Sequence, residues 1–174
     1  MERLVPCPAC GAPVKVPVKS GAVTCEACGS EYSYSKELAY MSYLRFVTDD
    51  GREEFYEVSG DLKIGKDRRH MVTVSDAYVD SITHRIPIRT AYISKTHSTV
   101  NTGEMYEIRE IDGRQHIIKK MVCTIMDAES KNGTEVNGSR LKEPRTLKHG
   151  DQITLAPGCK KYVEIEYVER REQN

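Results

Sequence analysis

Short segments in which apolar and polar residues alternate run through most of the chain, and turn residues separate them. They include YLRFV (43–47), EEFYEV (53–58), EMYEIREI (104–111) and QHIIKKMVCTIMD (115–127). The last two are joined by Asp112-Gly113, a pair typical of tight hairpin turns. Alternation with a period of two indicates strands with one buried face. Since no segment keeps a helical period over ten residues, the pattern predicts an all-β fold, either a sandwich or a barrel.

Two Asn-Gly pairs, Asn132-Gly133 and Asn137-Gly138, lie close together in the stretch DAESKNGTEVNGSRL. Asn-Gly is a strong hairpin signal because both residues tolerate positive φ in a type I′ turn. Two such turns predict a short meander of strands. A tight turn can also hold hydroxyl, amide and ammonium groups in a fixed cluster that binds an anion. The two pairs by themselves leave both interpretations open.

Four of the six cysteines lie in the first 28 residues, in the motifs CPACG and CEACG. Each C-x-x-C pair forms a tight turn that directs two sulfurs to one point, and four thiolates suit a closed tetrahedral Zn²⁺ site. We therefore expect one structural zinc ion with no coordination position open for a catalytic water. The expected ligands are Cys7, Cys10, Cys25 and Cys28. A redox role for one C-x-x-C pair is the alternative, and the second pair argues against it.

This first part resembles the zinc-ribbon family, and the doubled C-x-x-C-G motif carries the resemblance. The segments APVKVPVK (12–19) and SEYSYS (30–35) have the alternation of short strands. About thirty residues bury too little apolar area to fold alone, so the metal would supply folding free energy on the order of 10 kcal/mol. We predict a zinc ribbon over residues 1–35 and a second domain over 40–170. Between them, SYSKELAY (33–40) is predicted to be a linker or a short helical step.

Composition narrows the functional classes. The 174 residues are 39% apolar and 30% charged, and their formal net charge of zero provides no overall field toward nucleic acid or an anionic membrane. Residues 1–40 carry four Lys/Arg and four Asp/Glu, which is weak support for nucleic-acid binding by the ribbon. The first residues lack the pattern of a signal peptide, and no apolar run approaches the length of a membrane span. We expect a cytoplasmic protein without a membrane partner, and the sequence does not indicate an oligomeric state.

Four segments of the second domain follow one another in a recognisable order: KIGK (63–66), ISKTH (93–97), SKNGTEVNG (130–138) and LKHGDQITL (147–155). Together they closely resemble the forkhead-associated (FHA) domain family over roughly residues 40–170. The S-x-x-H and N-G-T blocks are the most specific parts of the resemblance. It implies a β-sandwich of about eleven strands that recognises phosphothreonine in a partner protein and has no catalytic site.

The resemblance also implies which residues bind the phosphopeptide. Ser94 matches the serine whose hydroxyl and amide bind phosphate, and Asn132 matches the asparagine that holds the peptide backbone. His97 matches a histidine that braces the loop by hydrogen bonds and does not act as a base. The implied phosphopeptide-binding residues are Lys66, Ser94, Lys95, Lys131 and Asn132, and the implied supporting residues are Gly65, His97, Gly133 and Thr134.

Two features depart from the family pattern. The first segment usually reads Gly-Arg, with the arginine on the phosphate, but here Lys66 follows the glycine. Lysine keeps the charge and loses the planar fork of donors. The connection from Lys66 to Ile93 is also longer than expected and rich in cations. If this connection lies beside the site, one of its arginines would replace the missing fork of donors. The alternative, held equally, is an enlarged surface loop whose charges are simply solvated. The candidate arginines are Arg68, Arg69, Arg85 and Arg89.

These observations favour a phosphothreonine-dependent protein-binding adaptor in which the ribbon is a structural or interaction module. The expected partner is a phosphorylated protein. Because Lys66 stands where arginine is usual, a phospho-independent scaffold or assembly protein with a degenerate site is the alternative. Nucleic-acid contact through the ribbon is a third and weaker option. No enzymatic activity is expected, because Ser94 and His97 lie three residues apart in a binding loop without an orienting acid.

Overall fold

The computed structural model describes residues 2–66, 75–79 and 84–171. Within these ranges the chain forms strands and turns without a helix, which confirms the predicted all-β class. No helix that could span a bilayer occurs in this part of the chain. The strands are β1 (Leu4–Pro6), β2 (Pro13–Lys15), β3 (Gly21–Thr24), β4 (Glu31–Val47), β5 (Glu53–Val58), β6 (Leu62–Lys66), β7 (Ser75–Val79), β8 (His84–Thr90), β9 (Ser98–Ile111), β10 (Arg114–Asp127), β11 (Thr134–Val136), β12 (Ser139–Arg140), β13 (Arg145–Thr146), β14 (Gln152–Leu155) and β15 (Val163–Arg171).

The strands form a small two-stranded sheet, β1–β2, and one large mixed sheet. The order along the large sheet is β12-β11-β14-β15-β4-β10-β9-β6-β7-β8, with β13 beside β10 and with β3 and β5 beside β4. Strands β4 and β10 run parallel, whereas pairs such as β6–β9 and β11–β14 are antiparallel. Strands that are far apart in sequence are therefore neighbours in the sheet.

The chain divides into two compact units. The first contains the described residues of Met1–Met41, Glu104–Met121 and Arg170–Asn174, and the second contains those of Ser42–Gly103 and Val122–Glu169. The cysteine-rich part thus shares its unit with the hairpin formed by the ends of β9 and β10. The predicted domain ranges, 1–35 and 40–170, describe folding domains and stay a prediction.

The first unit has a hydrophobic core of its own around the cysteines. Its buried members are Val5, Cys7, Val14, Cys25, Tyr32, Tyr34 and Ile117. Ile117 comes from β10 and is fully buried, and Tyr106 and Ile108 from β9 pack against the cluster. Residues that follow the ribbon by about seventy positions therefore complete its core. This explains how so short a segment buries apolar area that it could not bury alone.

The predicted linker at residues 33–40 is wrong, because these residues lie inside strand β4. Ser33 and Tyr34 pair with β3 on one side and with β10 on the other. Tyr32 and Tyr34 alternate with Ser33 and are buried, which is the period of a strand. Pairing on both sides outweighs the polar composition that suggested a linker.

The second unit has a core of apolar side chains from the sandwich strands. Leu44, Phe46, Ile64, Ile153 and Leu155 are fully buried. A buried hydrogen bond of 2.8 Å joins the hydroxyl groups of Ser42 and Tyr167. These strands are the fixed frame from which the loops described below project.

The long connection between Lys66 and Ile93 contains two further strands. In its described part, β7 pairs with β6 and β8 pairs with β7, so the sheet is extended by two strands. Of the two alternatives held for this connection, an ordinary solvated loop is therefore wrong for residues 75–79 and 84–90. Arg68 and Arg69 lie outside the described residues.

We expect Ile117→Ala to loosen the cysteine-rich unit, because the substitution removes a fully buried side chain from its core. A large-to-small change of this kind costs about 2–5 kcal/mol. Hydrogen–deuterium exchange of the full-length variant should show faster exchange in the strands between residues 4 and 34. The matched control is Ile153→Ala, which is equally buried and should affect the sandwich strands instead. Unchanged exchange around the cysteines in the Ile117 variant would contradict the assignment of this core.

Candidate functional site

The end of β6 and the S-x-x-H loop are held against each other by their backbones. The backbone N–H of Lys66 donates to the carbonyl of Ser94 at 3.2 Å, and the N–H of His97 donates to the carbonyl of Ile64 at 2.8 Å. A Cβ on Gly65 would come within 2.0 Å of the Lys95 carbonyl oxygen. Glycine is therefore required at position 65 for this approach, which places Lys66 beside Ser94.

His97 joins the S-x-x-H loop to the N-G-T loop. Its Nδ1 accepts a hydrogen bond of 3.0 Å from the backbone N–H of Ser94, and its Nε2 lies 2.6 Å from the carbonyl oxygen of Gly133. Since Nδ1 accepts, Nε2 carries the proton and donates to Gly133, which defines a neutral tautomer. The side chain is fully buried, and this burial lowers the pKa of His97 below its usual value.

The second loop places two further predicted residues at the same spot. The backbone N–H of Lys131 donates to Ser94 Oγ at 3.1 Å, and Asn132 Nδ2 donates to the carbonyl of Tyr92 at 2.7 Å. Because Ser94 Oγ is the acceptor in this bond, its own O–H can donate to an anion. The side chains of Lys95 and Lys131 are exposed. The fold thus brings together Ser94, Lys131 and Asn132, with Lys66 beside them through its backbone contact.

Asp127 organises the N-G-T loop, and it lies outside the four segments that resemble the FHA family. Its carboxylate accepts hydrogen bonds from Ser130 N at 2.9 Å, from Ser130 Oγ at 2.6 Å and from Thr134 Oγ1 at 2.6 Å. Ser130 Oγ in turn accepts from Gly133 N at 2.8 Å. Partial burial by itself would raise the pKa of Asp127, but these hydrogen bonds outweigh it and lower the pKa. The detectable signal was an Asp three residues before a Ser, which is typical of a side-chain-capped turn.

Thr134 and Ser98 form the buried base of the site. Both are fully buried, and their hydroxyl oxygens lie 2.8 Å apart. Thr134 belongs to β11 and Ser98 to β9. The predicted supporting residue Thr134 therefore lies between the Asp127 network and strand β9, with its polar atoms hydrogen-bonded.

The two Asn-Gly pairs have different roles. Asn137 and Gly138 have φ of 50° and 78°, so they form the predicted type I′ turn between β11 and β12. In the first pair only Gly133 has positive φ, at 82°. The side chain of Asn132 instead donates a hydrogen bond to the carbonyl of Tyr92. The second pair is a hairpin turn, and the first belongs to the cluster around Ser94.

The candidate arginines of the long connection lie on β8 where they are described. Arg85 forms an ion pair of 2.6 Å with Asp76 on β7. Arg89 has an exposed side chain, and its backbone N–H donates to Asp49 Oδ2 at 2.9 Å. Replacement of the missing fork by one of these arginines stays a prediction.

The four N-terminal cysteines converge as predicted. Their sulfur atoms all lie within 4.8 Å of one another, and the pairs Cys7–Cys28 and Cys10–Cys25 are each 3.7 Å apart. A tetrahedral site with metal–sulfur bonds of about 2.3 Å has sulfur–sulfur edges of about 3.8 Å. The sulfurs therefore have the spacing that a metal ion with four thiolate ligands requires.

Tyr32 contacts this cluster from β4. Its hydroxyl group lies 2.6 Å from Cys7 Sγ, and both residues are buried. The hydrogen bond lowers the pKa of Cys7 to about 6 and raises the pKa of Tyr32 to about 12. A donor beside a thiolate sulfur is typical of the groups that surround metal ligands. In the sequence Tyr32 has only the alternating pattern of a strand residue.

Acid should destabilise the protein through His97. Because its folded-state pKa is below the usual 6.5, the unfolded chain binds more protons in this pH range than the folded chain. The stabilising contribution is complete above about pH 6.5 and is lost as the pH falls toward the lower folded-state pKa. Protonation of Asp127 lowers the stability only in stronger acid, below about pH 3.8, because its folded-state pKa is lowered from that usual value.

We expect the melting temperature of the wild type to fall more steeply between about pH 7.5 and 5 than that of His97→Gln, which cannot titrate. Loss of metal in acid affects both proteins and cancels in the comparison. Equal slopes for the two proteins would rule out a buried neutral His97.

Comparison with known proteins gives the following matches. The family model of the FHA domain matches residues 62–156, more than half of the chain. The yeast Dun1 FHA domain, solved in complex with a doubly phosphorylated (pT) peptide derived from Rad53 SCD1, is 22% identical with a TM-score of 0.50 and covers 80% of this chain and 82% of its own. Full-length yeast Pml1p is 21% identical with a TM-score of 0.48, and the match covers 75% of this chain and 83% of Pml1p. The FHA domain of Chlamydia trachomatis CT664 is 19% identical with a TM-score of 0.43, and the match covers 75% of this chain and 98% of the CT664 domain.

The search of curated proteins gave no match. At this level of identity the Dun1 domain shows the fold alone, and it confirms the predicted sandwich class. The family match covers the segments that contain Gly65, the S-x-x-H loop and the N-G-T loop, which the structure joins through His97. The chain belongs to the FHA domain family.

Proposed function

We propose that this protein is a phosphothreonine-dependent protein-binding adaptor. The observation that carries the proposal is the arrangement of Ser94, Lys131 and Asn132, which hydrogen bonds within the protein hold in place. A phosphate dianion needs hydroxyl, amide and ammonium donors that are positioned before binding. The yeast Dun1 FHA domain, which shares this fold, was solved with a phosphorylated peptide. The partner is then a phosphorylated protein, and the proposed location is the cytoplasm.

The three lysines of the site would attract the phosphate. Lys66 reaches it from the end of β6, Lys95 from the S-x-x-H loop and Lys131 from the N-G-T loop. Asn132, whose side chain already donates to a backbone carbonyl, would hold the backbone of the bound peptide. In this proposal Gly65, His97, Gly133 and Thr134 only position the loops.

A phospho-independent scaffold is the second candidate, and Lys66 is the observation that favours it. An ammonium group lacks the two parallel donors with which arginine binds phosphate. In that case the sandwich would bind its partner through another surface, and phosphorylation would change the affinity no more than added charge does.

Catalysis is not part of the proposal. In a serine nucleophile the histidine accepts a hydrogen bond from the hydroxyl group, whereas here it accepts from the backbone N–H of Ser94. Its other nitrogen donates to the Gly133 carbonyl and is not available as a base. The geometry supports a binding module.

For the cysteine cluster we propose one structural Zn²⁺ held by Cys7, Cys10, Cys25 and Cys28. Zinc prefers four thiolates at the spacing found here, and it would stabilise the fold of this small unit. The unit would serve as an interaction module. Contact with nucleic acid through it remains a weaker proposal.

We expect micromolar binding of phosphothreonine peptides from an oriented library, with much weaker binding of the same peptides carrying threonine. Ser94→Ala should weaken binding at least about tenfold, because a hydrogen bond to a charged group contributes roughly 1.5–3 kcal/mol. Lys66→Arg should strengthen it. Isothermal titration calorimetry measures both effects, and Ser59→Ala, an exposed serine between β5 and β6, is the control. Equal affinity for phosphorylated and unphosphorylated peptides would favour the scaffold.

We also expect about one zinc ion per chain by mass spectrometry of the purified protein. Tyr32→Phe should lower zinc affinity about tenfold in a competition assay with a chromogenic chelator, because it removes the donor to Cys7 Sγ. Tyr162→Phe, at an exposed tyrosine, is the control. A protein without zinc, or unchanged affinity in the Tyr32 variant, would contradict this assignment.

A further inference from the structure

Arg140 is a cation beside the N-G-T loop that none of the family motifs names. It is the last residue of β12, which the Asn137-Gly138 turn brings back against β11. The backbone N–H of Leu141 donates to the carbonyl of Thr134 at 2.9 Å. The hairpin and this hydrogen bond fix the backbone of Arg140 next to the loop that contains Asn132 and Gly133.

The guanidinium group of Arg140 lies against Gly133. A Cβ on this glycine would come within 2.0 Å of Cζ and 2.1 Å of Nη2 of Arg140. The guanidinium therefore occupies the space that any other side chain at position 133 would take. The φ of 82° at Gly133 is one that side chains disfavour, so the backbone favours glycine here, and the guanidinium uses the space that the glycine leaves open.

The charge of this guanidinium is not neutralised by a neighbouring carboxylate in the described part of the chain. Glu135 stands directly opposite Arg140 in the ladder of β11 and β12, where opposite charges commonly pair. No ion pair or side-chain hydrogen bond of Arg140 occurs among residues 2–66, 75–79 and 84–171. Arg145, five positions later, instead donates to the carbonyl of Val136 at 3.2 Å. The side chain of Arg140 lies against the N-G-T loop, and its N–H donors have no partner within the described part of the chain.

Arg140 is also close enough to act on the centre of the site. Burial is the main cause of the lowered pKa of His97, and the positive charge of Arg140 adds to it. Only the imidazole ring separates the Gly133 carbonyl from the Ser94 amide, through bonds of 2.6 Å and 3.0 Å. The guanidinium therefore borders the N-G-T loop, on which Lys131 and Asn132 lie and which His97 joins to Ser94.

We propose that Arg140 supplies the guanidinium group of the phosphopeptide site and binds an oxyanion of the bound peptide. This inference rests on the proposed function. Guanidinium presents two parallel N–H donors to an oxyanion, which Lys66, Lys95 and Lys131 cannot do. The oxyanion is the phosphate of the phosphothreonine or an acidic side chain beside it, and both have the same recognition chemistry. This chain, which has lysine at position 66, thereby obtains a guanidinium from the β11–β12 hairpin.

The test compares three full-length variants by isothermal titration calorimetry. Arg140→Ala removes the fork and the charge, and Arg140→Lys keeps only the charge. Lys142→Ala is the matched control, because it removes one charge from an exposed side chain two positions away. The probes are the tightest phosphothreonine peptide from an oriented library, the same peptide with all acidic side chains replaced by alanine, and its unphosphorylated form. Thermal melts check that each variant is folded.

We expect Arg140→Ala to weaken binding of the phosphorylated peptide about ten- to a hundredfold, Arg140→Lys to weaken it less, and Lys142→Ala to change it less than about threefold. A loss that persists with the alanine-substituted peptide identifies the phosphate as the ligand of Arg140. A loss confined to the acidic peptide identifies the side chain. The Nε–H NMR resonance of Arg140, assigned from its absence in Arg140→Lys, should shift on addition of the peptide.

An effect of Arg140→Ala no larger than that of Lys142→Ala, with wild-type binding dependent on phosphate, would overturn this inference alone. A wild type that binds phosphorylated and unphosphorylated peptides equally would overturn the proposed function together with it.

Discussion

One buried imidazole holds the candidate site together. His97 accepts from the Ser94 amide and donates to the Gly133 carbonyl, so a single neutral ring sets the separation of two loops that are 36 residues apart in sequence. Such a bridge works only while the ring is neutral, because a charged imidazole has no acceptor for the amide. Burial keeps it neutral, and the same burial links the geometry of the site to the pH of the solution.

Around this ring, each loop is stiffened by a different device. Backbone hydrogen bonds and the missing Cβ of Gly65 clamp the S-x-x-H loop to β6. The carboxylate of Asp127 accepts hydrogen bonds from the hydroxyl groups of Ser130 and Thr134 and thereby fixes the shape of the N-G-T loop. In the proposed function, preorganisation of this kind lowers the ordering cost of binding an anion, since the donors are already in place. The exposed lysines then contribute charge, and the buried groups contribute geometry.

The cysteine-rich unit is stabilised by two other features, a sulfur cluster and a hydrophobic core. Its sulfur cluster is local in sequence, but its hydrophobic core includes Ile117 from the hairpin of β9 and β10. A hydrogen bond from Tyr32 to Cys7 Sγ connects the two, because Tyr32 belongs to the core and also touches the cluster. Metal binding and core packing in this unit should therefore stabilise each other.

Local signals in the sequence determined the all-β class, the cysteine cluster and the two loops that form the candidate site. Alternation, C-x-x-C-G spacing, S-x-x-H and N-G-T each depend on residues within a few positions of one another. The family resemblance ordered these segments and named Ser94, His97 and Asn132, and the structure places the three within one hydrogen-bonded cluster. The type I′ turn at Asn137-Gly138 also followed from its two residues alone.

Only the tertiary structure decided the features that depend on distant partners. Residues 33–40 look like a polar linker, but they form part of β4, in which β3 and β10 pair with Ser33 and Tyr34 on both sides and β10 also pairs with Ala39 and Tyr40. The role of Ile117 in the ribbon core, the contact of Tyr32 with Cys7 and the position of Arg140 over Gly133 depend on strand pairing and on space left by a missing side chain. Such contacts join residues without a fixed spacing, so no local pattern reports them. The physical reason is that packing and hydrogen bonding act through distance in space, whereas motifs record distance along the chain.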